Sequence, residues 1–146
     1  MVKIFNYLKL FWLQFRKKVE TTPVPLHIVS KYLDKASKYS EILDNKYNTC
    51  DLETLKILVK LIPIRKQNYI SEEHDCDNFA YEFFALIKRL FPTLAIGICH
   101  VYTKKGKHAL NFVIYKNQVG GLTFSYLEPQ TGKISYYSYK PYFMVM

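Results

Sequence analysis

Glycine is scarce in this 146-residue chain, with five residues, and cysteine occurs three times, as Cys50, Cys76 and Cys99. An odd thiol count without paired spacing argues against a disulfide scaffold and for a reducing, cytoplasmic compartment. No CxxC pair occurs, so a structural zinc site of the usual spacing is not expected. No period of about 20 to 50 residues recurs, which argues against a solenoid. The apolar opening segment is broken by Lys9 and Gln14 and is too polar and too short to cross a bilayer. It also lacks the small-residue cleavage site of a secretory signal. Acid is sparse in the C-terminal part, where Glu128 is the sole carboxylate after residue 90.

What is abundant is apolar surface. The chain is 49% hydrophobic and 16% aromatic, too apolar for disorder and sufficient for one sizeable core. Its formal net charge is +9. The lysines are scattered rather than striped, which reads as solvated surface more than as a nucleic-acid footprint. Residues 61–90 run against the trend, with acids at Glu72, Glu73, Asp75, Asp77 and Glu82.

Residues 1–22 read as an amphipathic N-terminal helix. Ile4, Leu8, Phe11, Phe15 and Val19 repeat at helical spacing, and Arg16, Lys17 and Lys18 follow. Such a helix docks on a membrane surface, on a partner, or on its own domain. Residues 23–146 read as a single domain. "TTPVP" at 21–25 breaks the first helix, residues 26–44 read as a second, and "NKYNTCD" as a loop. Asp51 is placed to cap a third helix that Pro63 ends. A further helix from about Asp77 to Leu90 buries Phe79, Phe83, Ile87 and Leu90, with Asp77 a candidate cap. After Pro92 the period changes to strands: "LAIGICHVYT", "HALNFVIYK", "LTFSYLE" and "ISYYSYK", joined by "KKGK", "NQVGG" and "PQTGK". Helices followed by an antiparallel meander make an α+β layout.

Cys76 opens the most strongly amphipathic helix. There its sulfur faces unpaired N–H groups and the positive end of the helix dipole, both of which favour thiolate, while Asp75 and Asp77 oppose it. The Cys76 N–H is also placed to serve an oxyanion. A nucleophilic thiol needs a base, and His27, His74, His100 and His108 are the candidates. His74, two positions away in a loop, is poorly placed. His108 begins a strand, and Glu128 ends the next, where it can orient the imidazole. A mixed metal site of Cys76, Cys99, His100 and His108 is a further reading of the same residues. The structural alternatives are a buried thiol, a turn-side histidine and a solvated carboxylate. Asn111 lies on the strand face opposite His108 and reads as structural.

The segments "DCDNFA", "HALNFVIY" and "LEPQTGKI" resemble, in order and character, a papain-like family that includes the C-terminal domain of a mushroom agglutinin and small bacterial and phage proteins. The resemblance spans roughly residues 65–136. It implies a papain-like α+β fold with the nucleophile helix packed on the antiparallel meander. It implies Cys76 as nucleophile, His108 as base, Glu128 as orienting acid and Gln130 as a supporting residue. It also implies a possible calcium site, for which Asp75 and Asp77 are the ligand candidates. The first 60 residues read as helices rather than as a sugar-binding β-trefoil module, and Gln67, Asn68 and Tyr69 are undistinguished candidates for the oxyanion donor ahead of the cysteine. The expectation is a papain-like cysteine hydrolase, a thiol protease or amidohydrolase with a protein or peptide substrate. The alternative is a non-enzymatic binder of a host protein on the same fold.

Overall fold

The computed structural model describes residues 19–62, 64, 67–136 and 139–146. Ile4, Leu8, Phe11, Phe15 and the basic run of the expected first helix, like the helix-breaking Pro63, lie outside the described residues. The elements run β1 (Thr22–Val24), α1 (Leu26–Ala36), β2 (Ser40–Glu41), β3 (Tyr47–Thr49), α2 (Leu52–Leu61) and α3 (Cys76–Leu90). They continue through β4 (Ile96–Thr103), β5 (Gly106–Lys116), β6 (Leu122–Glu128), β7 (Lys133–Ser135) and β8 (Pro141–Val145). The α+β class is as expected. Among the described residues no helix is long and apolar enough to cross a membrane.

Six strands form one sheet in the order β2-β8-β4-β5-β6-β7, and β1 pairs with β3 in a separate two-stranded ribbon. The β2–β8 pair is parallel and the other pairings are antiparallel. Helices cover both faces. Leu55 and Leu58 of α2 and Phe79, Phe83 and Ile87 of α3 pack with Ile96, Val113, Tyr115 and Leu127. Val29 and Leu33 of α1 pack on the other side with Cys99, Leu110, Phe112, Ile114 and Met144. Strand β5 is thus buried on both faces, which explains why "ALNFVIY" is nearly continuously apolar rather than alternating.

Local signals set several boundaries. Asp51 Oδ1 accepts from Thr54 N at 2.7 Å and caps α2 as expected. A two-residue turn at Lys104–Lys105 joins β4 to β5, and Gly106 follows at φ 116°, a conformation that favours glycine. Asn117 organises the next turn: its Oδ1 accepts from Val119 N and Gly121 N.

The described structure corrects four expectations. The second helix ends at Ala36, not near residue 44, because Ser37 turns extended and its hydroxyl donates to the Pro141 carbonyl. The chain then runs as β2 beside β8. The expected loop at 45–51 contains strand β3, where buried Tyr47 donates its hydroxyl to the Met146 carbonyl at 2.8 Å. The last strand is not a simple continuation of the meander: β7 stops at Ser135, and β8 returns to the far side of β4. Asp75, not Asp77, is the N-cap of α3, and Asn78 Oδ1 accepts from its N–H. Three of the four corrections involve hydrogen bonds to the C-terminal segment, which no local sequence window contains.

Candidate functional site: a thiol, imidazole and carboxylate at one end of the sheet

Helix α3 puts Cys76 at its first position, half-buried against Ala80, Ile98 and Ala109. The helix is held to the sheet from below by Asn111. This fully buried amide donates to the Ala80 carbonyl at 3.0 Å and to the Gly97 carbonyl at 3.1 Å. The structural reading of Asn111 therefore holds. Gly97 keeps the same region close-packed, since a Cβ there would run into the Phe112 ring and the Val145 carbonyl.

His108 lies just inside β5, after the lysine turn. Asn111 pairs with Leu127, so Leu110 falls opposite Glu128 and His108 becomes the diagonal neighbour of Glu128 on one sheet face. Their side chains meet, with His108 Nε2 and Glu128 Oε2 at 2.6 Å, each side chain about a quarter exposed (24%). If Nε2 carries the proton toward the carboxylate, Nδ1 is left as the acceptor. After Glu128 the chain turns sharply, with Gly132 N donating to the Glu128 carbonyl at 2.7 Å and Gly132 at φ 72°. That turn carries Gln130 back toward the site.

A cleft of about 470 Å³ is lined by Tyr69, Cys76, Thr103, Lys104, Lys105, Lys107, His108 and Gln130. Three of the residues expected at the site, Cys76, His108 and Gln130, thus share one cleft, and Glu128 holds the histidine from behind. Gln130 Nε2 and Glu128 Oε1 are buried and have no hydrogen-bond partner among the described residues. A buried amide N–H₂ without a partner, at the edge of a cleft with a thiol, is a donor waiting for an acceptor.

Of the three candidates ahead of the cysteine, Tyr69 alone lines the cleft, where desolvation first and the neighbouring negative groups second push its hydroxyl above its ordinary value. Gln67 is engaged elsewhere, donating to both Glu82 oxygens at 2.8 and 2.9 Å. Asp75, Cys76 and Asp77 come together, with one ligand atom from each within 4.8 Å of the others. The two carboxyls share a hydrogen bond, which holds Asp75 below and Asp77 above the ordinary carboxylate value.

The mixed cysteine–histidine metal site does not form among the described residues. Cys99 and His100 are consecutive on β4 and point to opposite faces. Cys99 is fully buried in the α1-side core, and burial raises its thiol far above its ordinary value. His100 faces α3, where its Nε2 lies 3.4 Å from the Tyr81 hydroxyl, and burial lowers its basicity. The lysine rim was not singled out from the sequence. The available signal was the position of "KKGK" immediately before His108, which obliges the turn to sit beside that histidine.

No family model matches the chain, and no curated protein matches it. Solved structures do. One, described as a PSL1a–E64 complex, is 21% identical with a TM-score of 0.70, and the match covers 86% of this chain and 51% of that one. Another is Polyporus squamosus lectin bound to the human-type influenza-binding epitope Neu5Acα2-6Galβ1-4GlcNAc, at 20% identity and a TM-score of 0.69. That match covers 86% of this chain and 49% of the lectin. This chain shares the fold of about half of a mushroom lectin.

It spans about half the length of the solved chains it matches. The likeness to a mushroom agglutinin is as the sequence motifs implied. Two further expectations are corrected by these neighbours. The description as a hydrolase or cysteine protease, and that of a protein or peptide as partner, give way, because a neighbour is named as a lectin and is bound to a sialylated glycan epitope.

Proposed function

We propose that the cleft is a ligand-binding site with a nucleophilic thiol at its centre, able to take an acyl group from a small ester or thioester onto Cys76 Sγ. The observation that carries this reading is the 2.6 Å contact between His108 Nε2 and Glu128 Oε2 beside the cleft that Cys76 lines. In this reading residues 23–146 form one papain-like domain. His108 Nδ1 takes the thiol proton as Sγ forms its bond to the acyl carbon, and the same proton passes to the departing alkoxide or thiolate as the old bond breaks. Glu128 fixes the imidazole tautomer and offsets the charge of the imidazolium. The Cys76 N–H and Gln130 Nε2 supply donors for the oxyanion.

Asp75 and Asp77 would hold a divalent cation such as calcium. Their fit is partial but real: two nearby carboxylates, with Asp75 Oδ1 buried and without a partner among the described residues, offer hard oxygen donors, whereas calcium takes about six to eight. A cation there would offset the two charges beside the thiol.

The test is a stoichiometric burst with p-nitrophenyl acetate. One equivalent of nitrophenolate should be released with an acetyl group on Cys76, and Cys76→Ala and His108→Ala should each remove it while circular dichroism stays unchanged. Persistence of the burst in Cys76→Ala, or its absence in the unaltered chain, sinks the proposal.

A second reading, non-enzymatic binding on the same fold, is favoured by the cleft rim. Lys104, Lys105 and Lys107 with Tyr69 offer cations and a ring face to an acidic sugar, the kind of ligand named for the lectin neighbour. Titration with Neu5Acα2-6Galβ1-4GlcNAc against its asialo disaccharide separates the readings: saturable, sialic-acid-dependent binding by a chain with an unreactive Cys76 supports the second.

A further inference from the structure

A second concavity lies beneath α1 and shares no lining residue with the thiol cleft. It encloses about 560 Å³, more than the thiol cleft. Its wall is a set of aromatic rings. Tyr32 and Phe124 lie nearly parallel, with centroids 6.0 Å apart and planes at 19°. Phe124 meets Tyr126 edge-on at 5.2 Å, and Tyr126 meets Tyr139 edge-on at 5.0 Å. The rings are fixed from behind. The Tyr32 hydroxyl donates to the Leu122 carbonyl at 2.8 Å, and the Tyr126 hydroxyl to the Tyr139 carbonyl at 3.4 Å. Two cations stand at the rim, Lys35 in the last turn of α1 and Lys140 just ahead of β8, and no acid is among the described lining residues. Asp34, beside Lys35 in sequence, accepts from the Ser30 hydroxyl on its own helix.

We propose that this concavity is a second ligand site, for a small planar aromatic anion: an aryl carboxylate, sulfonate or phosphate. Preformed rings at right angles to one another offer both a face and edges to an inserted ring, so stacking costs little reorganisation. A ring alone would satisfy the wall, but the two ammonium groups without a lining acid select for negative charge on the ligand. The volume falls within the range of about 300–1,000 Å³ typical of small-molecule sites lined by aromatic groups. The site is separate from the thiol chemistry, and its proposal does not depend on that reading.

The experiment uses the full chain and 1-naphthyl phosphate, followed by calorimetric titration, with 1-naphthalenemethanol as the neutral control. The naphthyl phosphate should bind saturably and more tightly than the alcohol. Lys35→Glu with Lys140→Glu, both exposed positions, should weaken the phosphate by about tenfold and leave the alcohol unchanged. Saturation should leave the iodoacetamide rate at Cys76 unaltered. Equal affinity for the two ligands, or indifference of the phosphate to the double charge reversal, overturns the proposal. So does protection of Cys76 by the ligand, which would place it in the thiol cleft.

Discussion

His108 and Glu128 are twenty residues apart in sequence and 2.6 Å apart in space, on neighbouring antiparallel strands. The contact is a consequence of register: shifting β6 by one residue against β5 would turn Glu128 to the other sheet face. Its other oxygen is buried and has no hydrogen-bond partner among the described residues.

Glu128→Gln keeps the shape and removes the charge. The acetylation burst should slow by at least about tenfold, because the imidazolium formed on proton transfer loses its carboxylate. Stopped-flow release of nitrophenolate measures this, and a rate equal to that of the unaltered chain would deny Glu128 a positioning role.

Gln130→Ala separates donor from nucleophile. Alkylation of Cys76 by iodoacetamide builds no oxyanion and should proceed unchanged. Acetylation, which does, should slow by roughly 100-fold. Parallel losses in both rates would instead mean that Gln130 serves the shape of the cleft.

Asn111→Leu removes the two bonds that tie α3 to β4 through Ala80 and Gly97. Two carbonyls lose a partner in the core, and the variant should be destabilised by about 2–4 kcal/mol in urea unfolding. A change below about 0.5 kcal/mol would show that the helix is seated by its apolar face alone.

Gly97→Ala places a methyl group against the Phe112 ring and the Val145 carbonyl, neither of which has room to retreat. Overpacking of this kind costs about 1–3 kcal/mol or more, and the shift should appear in the thermal midpoint. Because Val145 lies on β8, amide exchange in β8 should rise with it.

Alkali should unfold the protein by a nameable route. Burial pushes the Cys50 thiol from an ordinary 9.0 to about 12 and the Tyr115 hydroxyl from 10.0 to about 12. Each folded value lies above its unfolded one, so the folded chain holds more protons between them. Stability is therefore complete below about pH 9 and falls as pH rises toward 12. Urea midpoints at pH 8, 10 and 11 should decline in that order, and Cys50→Ala should flatten the part between 9 and 10.

The amino-acid sequence alone determined the features that repeat within a few residues. Helical spacing marked α2 and α3, Asp51 announced its cap, and the turns at Lys104–Gly106 and Asn117–Gly121 delimited β4, β5 and β6. Cys76, His108 and Glu128 were legible as a thiol, an imidazole and a carboxylate at element ends, whereas Gln130 was named by the family resemblance alone. Tertiary structure alone decided what depends on partners distant in the chain. It ended α1 at Ala36 through a bond to Pro141, made a strand of Tyr47–Thr49 by pairing it with β1, and carried β8 across to β4. It also set the three lysines at the mouth of the Cys76 cleft and built the aromatic wall beneath α1. Local propensity is fixed by neighbouring residues, whereas strand order and the meeting of side chains follow from which distant surfaces bury one another.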